Sequence, residues 1–293
     1  MDVKRAARGF SAGGPGRAPL ALKVGSREFA RRYHEKARRL FDTARVLSDR
    51  LTPGEVHDLR VAARRVQVMR RLLPRKVRVS QASRRFDLAL KSTLKGTSQL
   101  RDMDTLMTTL EEHRGNLPGQ LLVALENQRS DAAARAKAAC EALADSPPPE
   151  VEPGETSGRK LSKKLRKRGR RHGRTAAELL SEVLRDESKV EELHSLRIEV
   201  KKLRYLLELS QKSPRELPIM TRWQESLGAI HDLDVALRFL EEGDLELKGW
   251  ALDELRRSRH RAYLKFIGES RADSIEASGE NTFLIKNAAS APA

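Results

Sequence analysis

Two stretches decide how this chain folds: His57-Asp58-Leu59-Arg60-Val61-Ala62-Ala63-Arg64-Arg65 and, much later, His194-Ser195-Leu196-Arg197-Ile198-Glu199-Val200-Lys201-Lys202. Each opens on a histidine and sets Leu, Arg and a basic pair at the same offsets. Beyond them Val68 meets Tyr205 and Met69 meets Leu206. At about 100° per residue, His57, Arg60, Arg64 and Arg71 fall in one narrow stripe, with Leu59, Ala62, Ala63, Val66, Met69 and Leu73 on the opposite side. The second copy sets His194, Arg197, Lys201 and Arg204 against Leu196, Val200, Leu203, Leu206 and Leu207, while Arg65 and Lys202 flank their stripes. Each helix therefore has one face to bury and another that concentrates positive charge. For one such helix a solvated face is explanation enough. A merely solvated face mixes signs, because interspersed acids relieve like-charge repulsion. Here the only acid on the second stripe is Glu208, near its end.

A second block repeats after each helix. Arg101-Asp102-Met103-Asp104 matches His231-Asp232-Leu233-Asp234, and Leu110-Glu111-Glu112 matches Leu240-Glu241-Glu242. The copies stand seven residues closer here, about two helical turns lost from the preceding connection. Duplication of a whole half is the simplest account. Outward from these blocks the pattern stays helical. The spacing predicts helices over 26–49, from 52 to before Pro74, over 79–97, 100–113 and 118–144, from 159, and over 187–211, 220–240 and 245–268. Pro147, Pro148, Pro149, Pro153 and Gly154 mark 145–158 as a linker between a first half, 26–144, and a second, 159–268. Residues 1–25, with Gly13, Gly14, Pro15 and Gly16, read as a flexible arm, and 269–293 as a disordered tail.

Composition agrees with a helical reading. Only 4% of the 293 residues are aromatic, so the core must be Leu, Val and Ala, which suits helix-on-helix packing better than a sandwich of sheets. Charged residues reach 34%, against roughly a quarter in ordinary domains. A net charge of +17 demands a standing negative partner: nucleic acid, a membrane surface or a polyphosphorylated ligand. Cys140 is the only cysteine, which excludes an internal disulfide and a Cys-rich metal site and fits a reducing compartment. No stretch approaches the ~20 apolar residues of a membrane span, and the start of the sequence lacks the apolar run of a secretory signal. A cytoplasmic, all-α protein is expected.

The doubled motif resembles the CHAD family, the helical domain named for its histidines. The family pattern, His-x-x-Arg-x-x-x-Arg/Lys-Arg/Lys followed by Asn/Arg-Asp-x-Asp, is met by His57, Arg60, Arg64, Arg65 and Asp102, Asp104, and again by His194, Arg197, Lys201, Lys202 and Asp232, Asp234. The glycine often found before the aspartate pair is Gly228 in the second half and Ser98 in the first. The resemblance spans roughly 26–268. It implies two four-helix-bundle-like halves related by pseudo-twofold symmetry around a basic central channel. It further implies binding of inorganic polyphosphate and attachment to polyphosphate granules in cells.

A phosphate polymer offers charge and no base edges, so its site needs Arg forks, Lys ammoniums or helix N-termini aimed at phosphate oxygens. Arg60, Arg64 and Arg197 suit bidentate contacts, and Lys201 and Lys202 suit adaptable point charges. Arg65 and Arg204 extend the set, as do Arg32 and Arg39 on the preceding helix and Lys163 and Arg170 on the basic helix after the linker. His57 and His194 should resist protonation in an empty cationic stripe and take up protons when an anion binds. The aspartates have an enzymatic reading, as carboxylates holding Mg²⁺ for phosphoanhydride cleavage. Residues two apart on a helix face different ways, however, so ion pairs that orient basic residues are expected instead, with no catalytic residue, metal or cofactor. Asp244-Leu245-Glu246-Leu247-Lys248 echoes a strand of triphosphate-tunnel enzymes but stands among helices, which marks it as coincidence. The principal rival is RNA or other nucleic-acid binding through the basic segment 158–174, which the scarcity of aromatic stacking platforms disfavours.

Overall fold

The computed structural model describes residues 22–47, 51–114, 119–155, 157–210, 216–242 and 248–279. Among them are ten α-helices and no strand: α1 Ser26–Val46, α2 Pro53–Arg70, α3 Arg75–Arg78, α4 Gln81–Gly96, α5 Ser98–Arg114, α6 Gly119–Ala144, α7 Gly158–Val183, α8 Val190–Glu208, α9 Glu216–Glu242 and α10 Lys248–Gly279. The all-α class read from periodicity is the class observed.

Local chemistry explains where these helices start. Thr52 caps α2, its hydroxyl accepting from the Glu55 amide while the Glu55 carboxylate accepts from the Thr52 amide at 3.1 Å, and Pro53 fills the first turn. Ser80 and Ser157 cap α4 and α7 in the same way, without the reciprocal acid. The apolar stripes are then buried as their spacing requires. Leu59, Ala63, Val66, Met69 and Leu73 of the first copy and Leu196, Val200, Leu203, Leu206 and Leu207 of the second all lie inside.

One apolar cluster passes through both halves, from Phe29, Tyr33 and Leu40 on α1 to Leu165 on α7, Trp223 on α9 and Phe266 on α10. A second joins α5 and α6 to α9 and α10 through Leu106, Leu110, Leu125, Leu237 and Leu255. Close approach matters at Gly96, the last residue of α4. A Cβ there would stand 2.7 Å from the Ala139 Cβ and 3.2 Å from the Arg135 carbonyl, so only glycine lets α4 rest on α6.

Three segments differ from the sequence reading. The end of the expected flexible arm is packed: Leu22 and Val24 are buried, and the Ser162 hydroxyl both accepts from the Val24 amide at 3.1 Å and donates to its carbonyl at 3.3 Å. Residues 1–21 lie outside the described residues. The Pro-rich linker is a strap laid along α1. Pro149 and Val151 are buried, the Val151 amide donates to His34 Nε2 at 2.9 Å, and the Ser26 hydroxyl donates to the Pro153 carbonyl. Prolines suit such a path because their backbone lacks the N–H that would need a partner. The tail expected from residue 269 continues instead as helix to Gly279. Its Asp273 is buried, accepting from Trp223 Nε1 at 2.8 Å and from the Arg222 guanidinium. A window rich in small polar residues hid one ion pair that holds it down. Residues 280–293, like Asp244–Leu247 of the strand-like echo, lie outside the described residues.

Candidate functional site

The basic stripes of α2 and α8 meet. Arg60 and Arg64 from α2 lie within electrostatic reach of Arg197 and Lys201 from α8, and His57 feels Lys201. Arg60 is fixed by the break between α4 and α5, where its Nη1 donates to the Leu94 carbonyl at 2.8 Å and to Thr97 Oγ1 at 2.9 Å. Burial first, then Arg64 and other nearby arginines, lower its pKa to about 10. Among the described residues no carboxylate comes within ion-pairing distance of Arg64, Arg197 or Lys201. Arg197 Nε is buried with no hydrogen-bond partner. An unpaired buried donor on a guanidinium is costly, and a ligand anion would satisfy it.

The titration of the site follows from crowding. Burial, then Arg197 and Arg64, push the Lys201 ammonium down to about 7 against the opposing pull of Asp232. His57 and His194 are both lowered, first by burial and next by Arg101 and Arg197 respectively, as the cationic stripe required. His231 adds a third imidazole, held at about 3 by burial, Arg197 and His194. His194 Nδ1 and His231 Nδ1 stand 3.2 Å apart, so one donates while the other accepts, an arrangement that suits one neutral ring at least.

The aspartate pairs divide as residues two apart on a helix must. Asp102 and Asp232 face the basic cluster, and burial raises the Asp232 pKa despite Arg197, Arg101 and Lys201. Asp104 and Asp234 turn to the neighbouring helix. Arg129 Nε donates to Asp104 Oδ1 at 2.7 Å, and Arg259 Nε donates to Asp234 Oδ1 at 2.6 Å, with partners 25 residues apart in both cases. Each arginine also donates to a carbonyl just before the histidine helix of its half, Leu51 and Glu187, at 3.2 Å. Arg129 and Arg259 escaped the sequence reading, although each follows its aspartate at the same interval and that repetition was the available signal.

Other expected site residues are placed elsewhere. Arg65 Nε donates to Glu208 Oε2 at 2.9 Å, the Arg204 guanidinium also pairs with Glu208, and Arg32 pairs with Glu28 and donates to the Glu208 carbonyl at 3.3 Å. Lys202 donates to Glu199 Oε1 at 2.6 Å, whose other oxygen meets His172 Nδ1 at 2.6 Å. Arg39 lines a cleft between α1 and α2 shared with Glu35, Asp42, Glu55 and Asp58. Lys163 and Arg170 are exposed on α7, and it is Lys164 and Arg168 that reach across to the end of α2. The cluster itself gains Arg101, His231 and Arg238.

An all-helical protein with a crowded cationic centre is the class that fold and site define. The sequence model described as CHAD domain matches residues 30–241, and the chain belongs to that family. Its fold is similar to the "Crystal structure of the CHAD domain from the plant Ricinus communis", at 18% identity and a TM-score of 0.50, over 97% of this chain and 99% of that one. The search of curated proteins returned no match. The matched span stops before α10, which nevertheless supplies Arg259 to the Asp234 pair.

Proposed function

We propose that this protein binds inorganic polyphosphate without turning it over. In this reading α2 and α8 line a basic channel between two four-helix-bundle-like halves related by a pseudo-twofold axis. The recurring Asp104–Arg129 and Asp234–Arg259 contacts support the duplication. One observation carries the reading: Arg64, Arg197 and Lys201, contributed by both repeats, crowd one another with no carboxylate at ion-pairing distance among the described residues, and one of Arg197's donors is buried without a hydrogen-bond partner. A flexible phosphate polymer supplies many oxygens to such a site and asks for no base readout. The absence of catalysis is supported by the engagement of Asp104 and Asp234 with arginines, which leaves one carboxylate of each pair facing the cluster. Residence at cytoplasmic polyphosphate granules belongs to the same proposal. Among the described residues no helix is long and apolar enough to cross a membrane.

Competition tests the ligand. Labelled long-chain polyphosphate bound to the protein should be displaced by unlabelled polyphosphate and resist heparin and RNA. Equal displacement by RNA would transfer the assignment to nucleic acid. Mg²⁺-stimulated phosphate release that vanishes in Asp232→Ala would overturn the non-catalytic part.

The site also predicts proton linkage. Lys201, depressed to about 7, is only partly charged near neutral pH in the empty site. A bound polyanion favours the ammonium, so binding should take up protons near pH 7, and affinity should fall as pH climbs above the depressed value. For folding the sign is opposite to that of an ion pair. Charging Lys201 among arginines destabilises the empty protein, fully so below about pH 7, and the penalty is relieved as pH rises toward the ordinary lysine value. Titration calorimetry in buffers of different ionisation heat should report the uptake, and Lys201→Arg should remove most of it. His57, His194 and His231 add to it only as far as the ligand lifts their lowered values. Buffer-independent heats would refute the linkage.

A further inference from the structure

The C-terminal end of α2 meets the basic face of α7 in a second cationic cluster. Lys164 Nζ donates to the carbonyls of Leu72 at 2.9 Å and Leu73 at 3.2 Å, and Arg168 Nη2 donates to the Arg71 carbonyl at 3.4 Å. The charges that act on this pair are all positive: Arg78 on both, with Arg71 and Arg171 on Arg168. Capping of helix-end carbonyls by cations explains part of this arrangement. It accounts for Lys164 and one donor of Arg168. It does not account for exposed Arg71, Arg78 and Arg171 being gathered at the same place.

The matched helix of the second repeat shows what a neutralised terminus looks like. There α8 ends on Glu208, whose carboxylate holds Arg65 and Arg204. In the matched helix the same position is Arg71, which continues the stripe of His57, Arg60 and Arg64. Positive charge thus stops at the end of α8 and continues past the end of α2. Arg71 lies two turns beyond Arg64, about 10 Å along the helix, a gap that a linear polyanion bridges and a small anion does not.

We propose that Arg71, Arg78, Lys164, Arg168 and Arg171 form a second anion subsite, which takes the continuation of a linear polyphosphate seated on Arg60, Arg64, Arg197 and Lys201. The chain leaves the central cluster past the end of α2 and over α7. The subsite makes the protein select long chains over short ones, and it rests on the polyphosphate reading above.

Arg78→Gln/Arg171→Gln removes two charges that cap no carbonyl, so the helices should keep their circular dichroism and melting temperature. Dissociation constants are measured for long-chain polyphosphate and for tripolyphosphate. The double variant should bind the long chain about tenfold more weakly, with a flatter salt dependence, and tripolyphosphate as the parent does. Glu208→Gln, which frees Arg65 and Arg204, should instead strengthen long-chain binding. Equal binding of both ligands by parent and double variant, or an equal loss for both, would overturn the subsite and leave the polyphosphate assignment standing. Failure of the parent protein to bind the long chain at all would overturn the assignment itself.

Discussion

Replacing Arg197 and Lys201 together by glutamine is expected to weaken polyphosphate binding by two orders of magnitude or more while leaving the protein at least as stable as before. Hydrogen bonds to charged groups contribute about 1.5–3 kcal/mol each, and the pair forms the α8 side of the cluster. Both cations are also unfavourable in the empty site. Burial and like charges hold Lys201 at about 7 and lower Arg197, and Arg197 Nε lacks a partner. Relief of that repulsion offsets the packing lost. Fluorescence anisotropy with labelled polyphosphate and a thermal melt of the same variant check both halves. Unchanged affinity would remove α8 from the site. A collapse in melting temperature would mean that these cations hold the fold together and are not held apart by it.

Arg259→Ala should act in the opposite sense, sparing the cationic cluster but unfolding the protein early. Its guanidinium donates from Nε to Asp234 Oδ1 at 2.6 Å, from Nη1 to Glu187 Oε1 at 2.7 Å and from Nη2 to the Glu187 carbonyl at 3.2 Å. It thereby pins α10 to α9 and to the turn before α8. Deleting one partner of a buried pair leaves the other charge uncompensated, at about 3–5 kcal/mol. Burial already raises the Asp234 pKa against Arg259, so in the variant this carboxyl escapes by taking a proton, which places the loss near the lower figure. In a protein of this size that is a drop in melting temperature on the order of 10 °C. A shift of a degree or two would show that Asp234 is well solvated and that the recurring Asp–Arg contact is incidental.

Much of this was legible along the chain. The helix α2, Pro53–Arg70, its buried stripe of Leu59, Ala63, Val66 and Met69, and its basic stripe of Arg60 and Arg64 all follow from one periodicity. Recurrence of that pattern at His194 marked the family. The site was read less completely. Arg65 and Lys202 carry the same charge as Arg64 and Lys201, one residue on. That step is about 100° around the helix, enough to turn them onto Glu208 and Glu199. On α7 a similar step separates exposed Lys163 from Lys164 at the end of α2, and with basic residues on most of that helix no local pattern says which side is inward.

The amino-acid order alone determined the helical class, the repeated histidine helices and the sign of their exposed faces, because side-chain periodicity and capping act over only a few neighbouring residues. Tertiary packing decided what those faces do. It set Arg60 and Arg64 against Arg197 and Lys201, drew Lys201 toward neutrality, turned Arg65 and Arg204 onto Glu208, laid the proline strap along α1 and tied α10 down through Asp273. Each of these depends on burial and on charges brought close from far along the chain, and neither exists until the helices have met.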